Sequence, residues 1–439
     1  MGTKISITAA GDMLIQRPIP TNSDGFDEVS NYIKKGDASF FNLETTIHRG
    51  GYPGNQFSGG SYLYADPKVL DVAKAYGFNM LSFANNHTFD FGYGGLEATL
   101  KYVNEAGFVH AGVGMNLDEA AAPVYLETPH GRVALIAMTS TTSFENNYAA
   151  MAGRQSRRLP GRPGVNLLRI KEHIEVTPEE FSVIYGVAER CGINVDNQIM
   201  RAEGFLPPMA NNGIAEFGKK LNFVRGEETS YHTAVNQTDM DRLEKSICEA
   251  QAQADCILVS IHAHELAGTS KETPAEFLVE FAHMAIDMGA HAVLGHGPHL
   301  LRPLEIYKNR PIFYSIGDFV LHNESTPVAP EELYEKFGMT SDAPLCDIFS
   351  RRSKNYTVGL LSDNVMLEAV IPYFEMEDGK LTYMELFPIQ LGIGLPRYRV
   401  GDPSFCADRG IIERFARMSE PYGTKITVNE EGIGIVELP

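Results

Sequence analysis

The stretch Ala292-Val293-Leu294-Gly295-His296-Gly297-Pro298-His299 decides the fold. Its apolar start follows a helix-like run over residues 273–289, and its end is a Gly/Pro loop carrying two histidines. A short buried strand that closes on Gly-His places both imidazoles at its carboxyl end, where open α/β sheets bind ligands. Neutral imidazole serves there as a metal ligand or as an acid/base group. Two surface histidines on a loop would give the same short motif. The choice depends on whether other strands end in the same way.

Four other segments do. Residues 4–10 alternate polar and apolar and run into Gly11-Asp12-Met13. Residues 38–41 run into Asn42-Leu43-Glu44, where strand spacing points Asn42 and Glu44 the same way. Residues 79–84 lead to Asn85-Asn86-His87, and residues 256–261 lead to His262-Ala263-His264. A further strand over 312–316 ends in Gly317-Asp318-Phe319, whose Asp reads as structural. Helices are expected over 26–35, 67–76, 96–106 and 240–255. Alternation at this spacing argues a layered α/β fold.

A sheet brings its strand ends together. One polar site therefore explains Asp12, Glu44, Asn86, His87, His262, His264, His296 and His299 better than independent turn or cap residues do. Carboxylate, amide and imidazole together suit Zn, Mn or Fe rather than Ca or Mg alone. A carboxylate flanked by imidazoles would make a two-metal hydrolytic site. With fewer ligands, the same groups can form a metal-free acid/base pair that inverts a Cα.

Between residues 140 and 239 the rhythm breaks, which reads as an insertion or subdomain. It contains Gly153-Arg154-Gln155-Ser156-Arg157-Arg158-Leu159-Pro160-Gly161-Arg162-Pro163-Gly164. Arg154, Arg157, Arg158 and Arg162 stand out in so acidic a chain, and Arg suits a bidentate grip on a carboxylate. A helix over 177–191 is expected, capped by Thr177. Residues 50–60 read as a loop or flap, and the tail from 326 holds strands over 365–373, 381–386 and 432–438.

The 439 residues carry 37 basic and 56 acidic groups, a formal charge of −19. That balance argues against nucleic acid or an anionic membrane surface as the main partner. No apolar run reaches the length of a membrane span, no apolar leader is apparent, and Gly2 is a poor lipidation site. Five cysteines without metal-type spacing suggest reduced thiols and a cytoplasmic setting.

The ordered series Gly11-Asp12-Met13, Asn42-Leu43-Glu44, Asn85-Asn86-His87, His262-x-His264, Gly295-His296-Gly297-Pro298-His299 and Gly317-Asp318-Phe319 resembles the bacterial capsule-synthesis (CapA/PgsA, poly-γ-glutamate synthesis) family. The resemblance covers roughly the first 325 residues. It implies the calcineurin-like metallophosphoesterase αββα sandwich over 1–325, with 140–239 as a central insertion and 326–439 as a C-terminal extension packed on the same domain. It also implies Asp12, Glu44, Asn86, His262, His296 and His299 as metal ligands. Leu14 stands where such enzymes carry a ligand His, and Glu44 replaces the bridging Asp. One metal position would then keep only Asp12, Glu44 and His299.

The first functional expectation is acid/base chemistry on a peptide or glutamyl substrate, most simply Cα epimerisation without a cofactor. Asp12, His87 and His296 would be its working groups, with Glu44 and His262 in support. Arg154, Arg157, Arg158 and Arg162, with Asn42, Asn85 and His264, would bind a substrate carboxylate. The second expectation is a hydrolase of a phosphoester or amide holding Mn, Zn or Fe. The third is a non-catalytic accessory protein of polymer synthesis. The oligomeric state is not legible.

Overall fold

The computed structural model describes residues 3–143, 148–208, 213–218, 221–322, 325–326 and 329–438; Gly2 lies outside them. Two large sheets carry the fold. The first, ten-stranded, has Lys4–Leu14 at its centre. On one side of it lie Ala38–Leu43, Met80–Ser82 and Val109–Ala111, all parallel. The second, six-stranded, is built on Gly131–Thr139, Cys256–His262, Ala292–His296 and Arg310–Ile316, again parallel.

Period-two patterning explains why the sheets face each other. Ile5, Ile7 and Phe40 of the first interlock with Leu135, Leu258, Leu294 and Phe313 of the second. The outer face of the first sheet packs Leu81 and Phe41 under the helices Phe26–Ile33, Val69–Tyr76 and Gly92–Ala106. The outer face of the second packs Val259, Ile261 and Val293 under Gln237–Gln251 and Glu276–Met288. The expected αββα sandwich is what the chain forms. Each fully buried Leu or Phe in these layers contributes about 1.5–3 kcal/mol. Truncating Phe40 to Ala should cost about 3–5 kcal/mol.

Parallel order places the carboxyl ends of both sheets at one edge. Asp12 pairs in register with Asn42, and His262 with both His296 and Thr139. The chain passes between sheets once here: Arg310–Ile316 belongs to the second, Gly317 turns, and Asp318–Leu321 pairs with Lys4–Leu14 of the first. The turn is tight. Gly317 has φ +84°, its carbonyl accepts from the Asp12 N–H at 3.2 Å, and a Cβ on Gly11 would lie 1.7 Å from that carbonyl oxygen.

Several element ends differ from expectation. The helix expected over 96–106 begins at Gly92, and the Tyr52 ring lies against Gly94 in its first turn, where a Cβ would come within 2.5 Å of it. The helix expected over 26–35 closes at Ile33. Helix Pro178–Cys191 has Thr177 as N-cap in a reciprocal box with Glu180. That helix belongs to a separate four-stranded sheet of Ala215–Phe217, Leu221–Arg225, Ile170–Val176 and Ser230–Val235.

Residues beyond 326 are built into the first sheet. Glu368–Glu377 pairs antiparallel with Lys4–Leu14, and Lys380–Gln390 pairs with Glu368–Glu377. Among the described residues all five cysteines are free, and no helix is long and apolar enough to cross a membrane.

Candidate metal centre

The strand ends deliver one cluster. Asp12, Asn42, Glu44, His262 and His296 have no exposure at all, and Asn85, Asn86, His87 and His299 are buried. His264 is half-buried. The eight residues grouped from the sequence are thus brought together, with Asn42 and Asn85 beneath them.

Hydrogen bonds fix the tautomers. Asn86 Nδ2 donates to the Gly59 carbonyl at 3.0 Å, which turns its Oδ1 to His262 Nε2 at 2.9 Å. His262 therefore carries its proton on Nε2 and presents the Nδ1 lone pair to the interior. Around that lone pair stand His296 Nδ1 at 3.0 Å and Asp12 Oδ1 at 3.5 Å. Asp12 Oδ1 lies 3.2 Å from His296 Nδ1 and accepts from Asn42 Nδ2 at 2.7 Å. Its other oxygen accepts from the Gly297 N–H at 2.7 Å. Asn85 in turn donates to Asn42 Oδ1 at 3.3 Å and to the Leu43 carbonyl at 2.8 Å, so it orients the amide instead of touching a ligand.

The donors fall into two neighbouring groups, each with ligand atoms within 4.8 Å of one another. The inner group is Asp12, His262 and His296, and the outer group is Glu44, His264 and His299. Asp12, His299 and Asp318 make a third combination between them. The division differs from expectation. His264, expected among the substrate-binding residues, offers a donor atom to the outer group, and Asp318, read as structural, stands with Oδ1 3.0 Å from His299 Nδ1. His299 itself sits in the left-handed region, φ +58°, a strained backbone of a kind concentrated at functional sites.

The residues fit a metal. Ligands about 2.0–2.1 Å from a Zn-sized ion stand roughly 3.4 Å apart in tetrahedral geometry, close to the spacings of the inner group. Both oxygens of buried Glu44 lack a hydrogen-bond partner among the described residues, as does Asp318 Oδ2. His262 Nε2 and His87 Nε2 stand 3.7 and 3.9 Å from Glu44 Oε1. Burial pushes the Glu44 carboxyl well above its usual range, and Asp12, Asp318 and Asp90 push it further. Burial also opposes charge on Asp12, yet the flanking His262 and His296 imidazoles outweigh it and hold that carboxyl well down. Burial brings His262 to about 4 and lifts Asp318 to about 6. Burial works against a proton on His299 too, but the Asp318 carboxylate outweighs it and raises that imidazole. Crowded carboxylates beside neutral imidazoles are what a bound cation stabilises.

A cavity of about 840 Å³ opens above the outer group. His87, His264 and His299 form its floor, and Lys271 and Arg352 add cationic groups to its walls. His87 Nδ1 donates to Asp90 Oδ2 at 2.6 Å, and that carboxylate is itself fixed by the N–H groups of Gly59 and Leu63. Asp12 and His296 lie beneath the floor and do not line the cavity.

The Arg-rich loop is elsewhere. Arg154, Arg157, Arg158 and Arg162 are exposed and none lines this cavity. Arg157 borders a shallow surface hollow with Asn116, Asp118 and Glu119. Arg154 lies 4.0 Å from Asp118, and Arg162 donates to the Met151 carbonyl. The sequence reading also passed over Arg302, Lys271 and Arg352. For Arg302 a signal existed: a charge inside the apolar run Leu300-Leu301-Arg302-Pro303-Leu304.

A two-sheet sandwich with a buried histidine–carboxylate cluster at its joined strand ends defines the class. The chain belongs to the family described as "Bacterial capsule synthesis protein PGA_cap", whose sequence profile matches residues 6–323. It is 31% identical to the uncharacterized protein y4sH of Sinorhizobium fredii over 99% of this chain and 93% of that one. It is 23% identical to the capsule biosynthesis protein CapA of Bacillus anthracis, over 72% of this chain and 60% of that one. Among solved structures, a putative 5'-nucleotidase from Staphylococcus aureus aligns over 94% of this chain and 58% of its own, with 11% identity and a TM-score of 0.38.

Proposed function

We propose that the protein is a metal-dependent hydrolase that cleaves an acyl or phosphoryl bond of an anionic substrate seated over the outer donor group. One observation carries this reading: the buried Glu44 carboxylate, both of whose oxygens lack a hydrogen-bond partner among the described residues, belongs to the outer of two neighbouring three-donor groups. Asp12, His262 and His296 would hold one ion, and Glu44, His264 and His299 the other. When bound, such ions polarise the scissile bond and supply a water nucleophile at neutral pH.

This chain's own residues do the rest. Asp90 holds His87 in one orientation through Nδ1, which leaves Nε2 to pass a proton to the leaving group. Lys271 and Arg352 give the cavity wall positive charge for the substrate's anion. The names of relatives, capsule biosynthesis and polyglutamine synthesis, make glutamyl peptides the first substrates to try.

Epimerisation has less support from the geometry. It needs two groups that reach opposite faces of one Cα, and of Asp12, His87 and His296 only His87 lines the cavity. A purely accessory role gives no account of the buried, unpartnered carboxylates.

Elemental analysis before and after chelator tests the proposal. Close to two transition-metal ions per chain are expected, with hydrolysis of phosphoesters or glutamyl peptides lost on chelation. A well-folded, metal-free protein that keeps its activity would sink it, and deuterium exchange at a peptide Cα would then point to epimerisation.

A further inference from the structure

Arg302 has no exposure, yet it carries a charge on the strand Leu301–Tyr307. A buried guanidinium is costly unless its donors and its charge are answered. Here Nε donates to the Lys271 carbonyl at 2.8 Å, Nη1 to that of Ala263 at 3.3 Å and Nη2 to that of His264 at 3.1 Å. All three carbonyls belong to one loop, residues 263–271. Arg302 therefore ties the start of that loop to its end.

The loop is held from the other side too. The His264 N–H donates to Thr141 Oγ1 at 3.0 Å. Glu265 accepts from Ser140 at 2.8 Å and from Thr141 at 3.0 Å. Burial raises the Glu265 carboxyl and lowers the Arg302 guanidinium to about 10, and the attraction between the two offsets part of that cost. The His264 peptide is thus gripped at its nitrogen by Thr141 and at its oxygen by Arg302. His264 is an outer-group donor and Lys271 lines the cavity.

We propose that Arg302 is a positioning residue of this site: it closes the 263–271 loop so that His264 completes the outer metal group while Lys271 stays at the cavity wall. The proposal rests on the two-metal reading. A planar fork reaching three carbonyls has no equivalent in lysine, which supplies charge from a single nitrogen. Arg302→Lys therefore keeps the charge opposite Glu265 and removes the clamp.

Calorimetric titration with Co²⁺ alone, on purified full-length protein freed of metal, tests this. Wild type is expected to show two sites, the inner one assigned by its loss in His296→Ala. Arg302→Lys should weaken the outer site about tenfold or more and leave the inner site within about twofold, matching His264→Ala. The double variant should be no weaker than His264→Ala alone. Equal weakening of both sites, no change at either, or an additive double variant would overturn the proposal. Should Arg302→Lys not fold, Arg302→Gln paired with Glu265→Gln removes both buried charges and meets the same criteria.

Wild type taking up no Co²⁺ would count against the metal reading alone. Arg302 is then judged by the rate at which diethylpyrocarbonate modifies His264, read by peptide mass spectrometry. A several-fold rise in Arg302→Lys supports the clamp, and an unchanged rate overturns it.

Discussion

The histidine-rich edge of the sandwich and the arginine-rich loop at 153–164 both stand out in the sequence, and they end in opposite conditions. At the edge, residues from 12 to 318 meet within hydrogen-bond distance, and all but His264 are buried. In the loop, four cations from nine consecutive positions spread into solvent. Arg154 reaches only a distant carboxylate, a pair of the kind that contributes about 0–1 kcal/mol. Parallel strands aim their ends at one place, whereas a loop aims its side chains wherever water takes them. Local density of a residue type is therefore weaker evidence for a site than agreement between strand ends.

The largest effect that sharpens this contrast is expected from His296→Ala. It removes an inner donor and leaves Asp12 facing a hole, so bound metal should fall to about one ion per chain and hydrolysis to background in elemental analysis and turnover assays. Retention of full metal content would break the contrast at its strongest point. Next is His87→Asn, which should lower kcat by about 10²–10⁴ while metal content stays unchanged, as for loss of a general acid.

A third test uses pH on chelated protein. His262 is held near 4 in the fold against an ordinary 6.5. The unfolded chain thus binds the extra proton first, and stability is lost as pH falls from about 6.5 to about 4. The loss amounts to about 3 kcal/mol for this one group. Glu44, displaced upward, works in the opposite direction, so the readout is the difference in melting temperature between wild type and His262→Gln across that window. Identical slopes would mean that His262 is not held neutral.

Two smaller effects compare the cations themselves. Lys271→Gln should raise KM about tenfold for an anionic substrate, the cost of one hydrogen bond to a charged group. Arg157→Ala should change KM by less than about twofold. The reverse ranking would move substrate binding back to the loop.

Much of the edge was legible because it depends on local pattern. Alternation ending in Gly-Asp or Gly-His marks a strand and its exit, and the register of parallel neighbours then follows. What was not legible depends on distant pairing. Nothing within residues 368–377 says that they will lie against Lys4–Leu14, since an antiparallel partner is chosen by the whole sheet. The split of ligands into inner and outer groups turns on which way the 263–271 loop folds back, and Arg302, 37 positions after Glu265 in sequence and buried under that loop, clamps it. Asp318 reads as structural from its place after Gly317. It touches the site because the chain changes sheets one residue earlier.

That crossing also governs what mutation can do to this fold. With the Gly317 carbonyl where a Gly11 side chain would begin, even one methyl group at position 11 acts as a wedge driven between two plates. The plates carry different shares of the chemistry: Asp12 and Glu44 on one, His262 and His296 on the other. Their separation is thus gauged by a spacer of zero thickness, and any side chain at position 11 would force it wider.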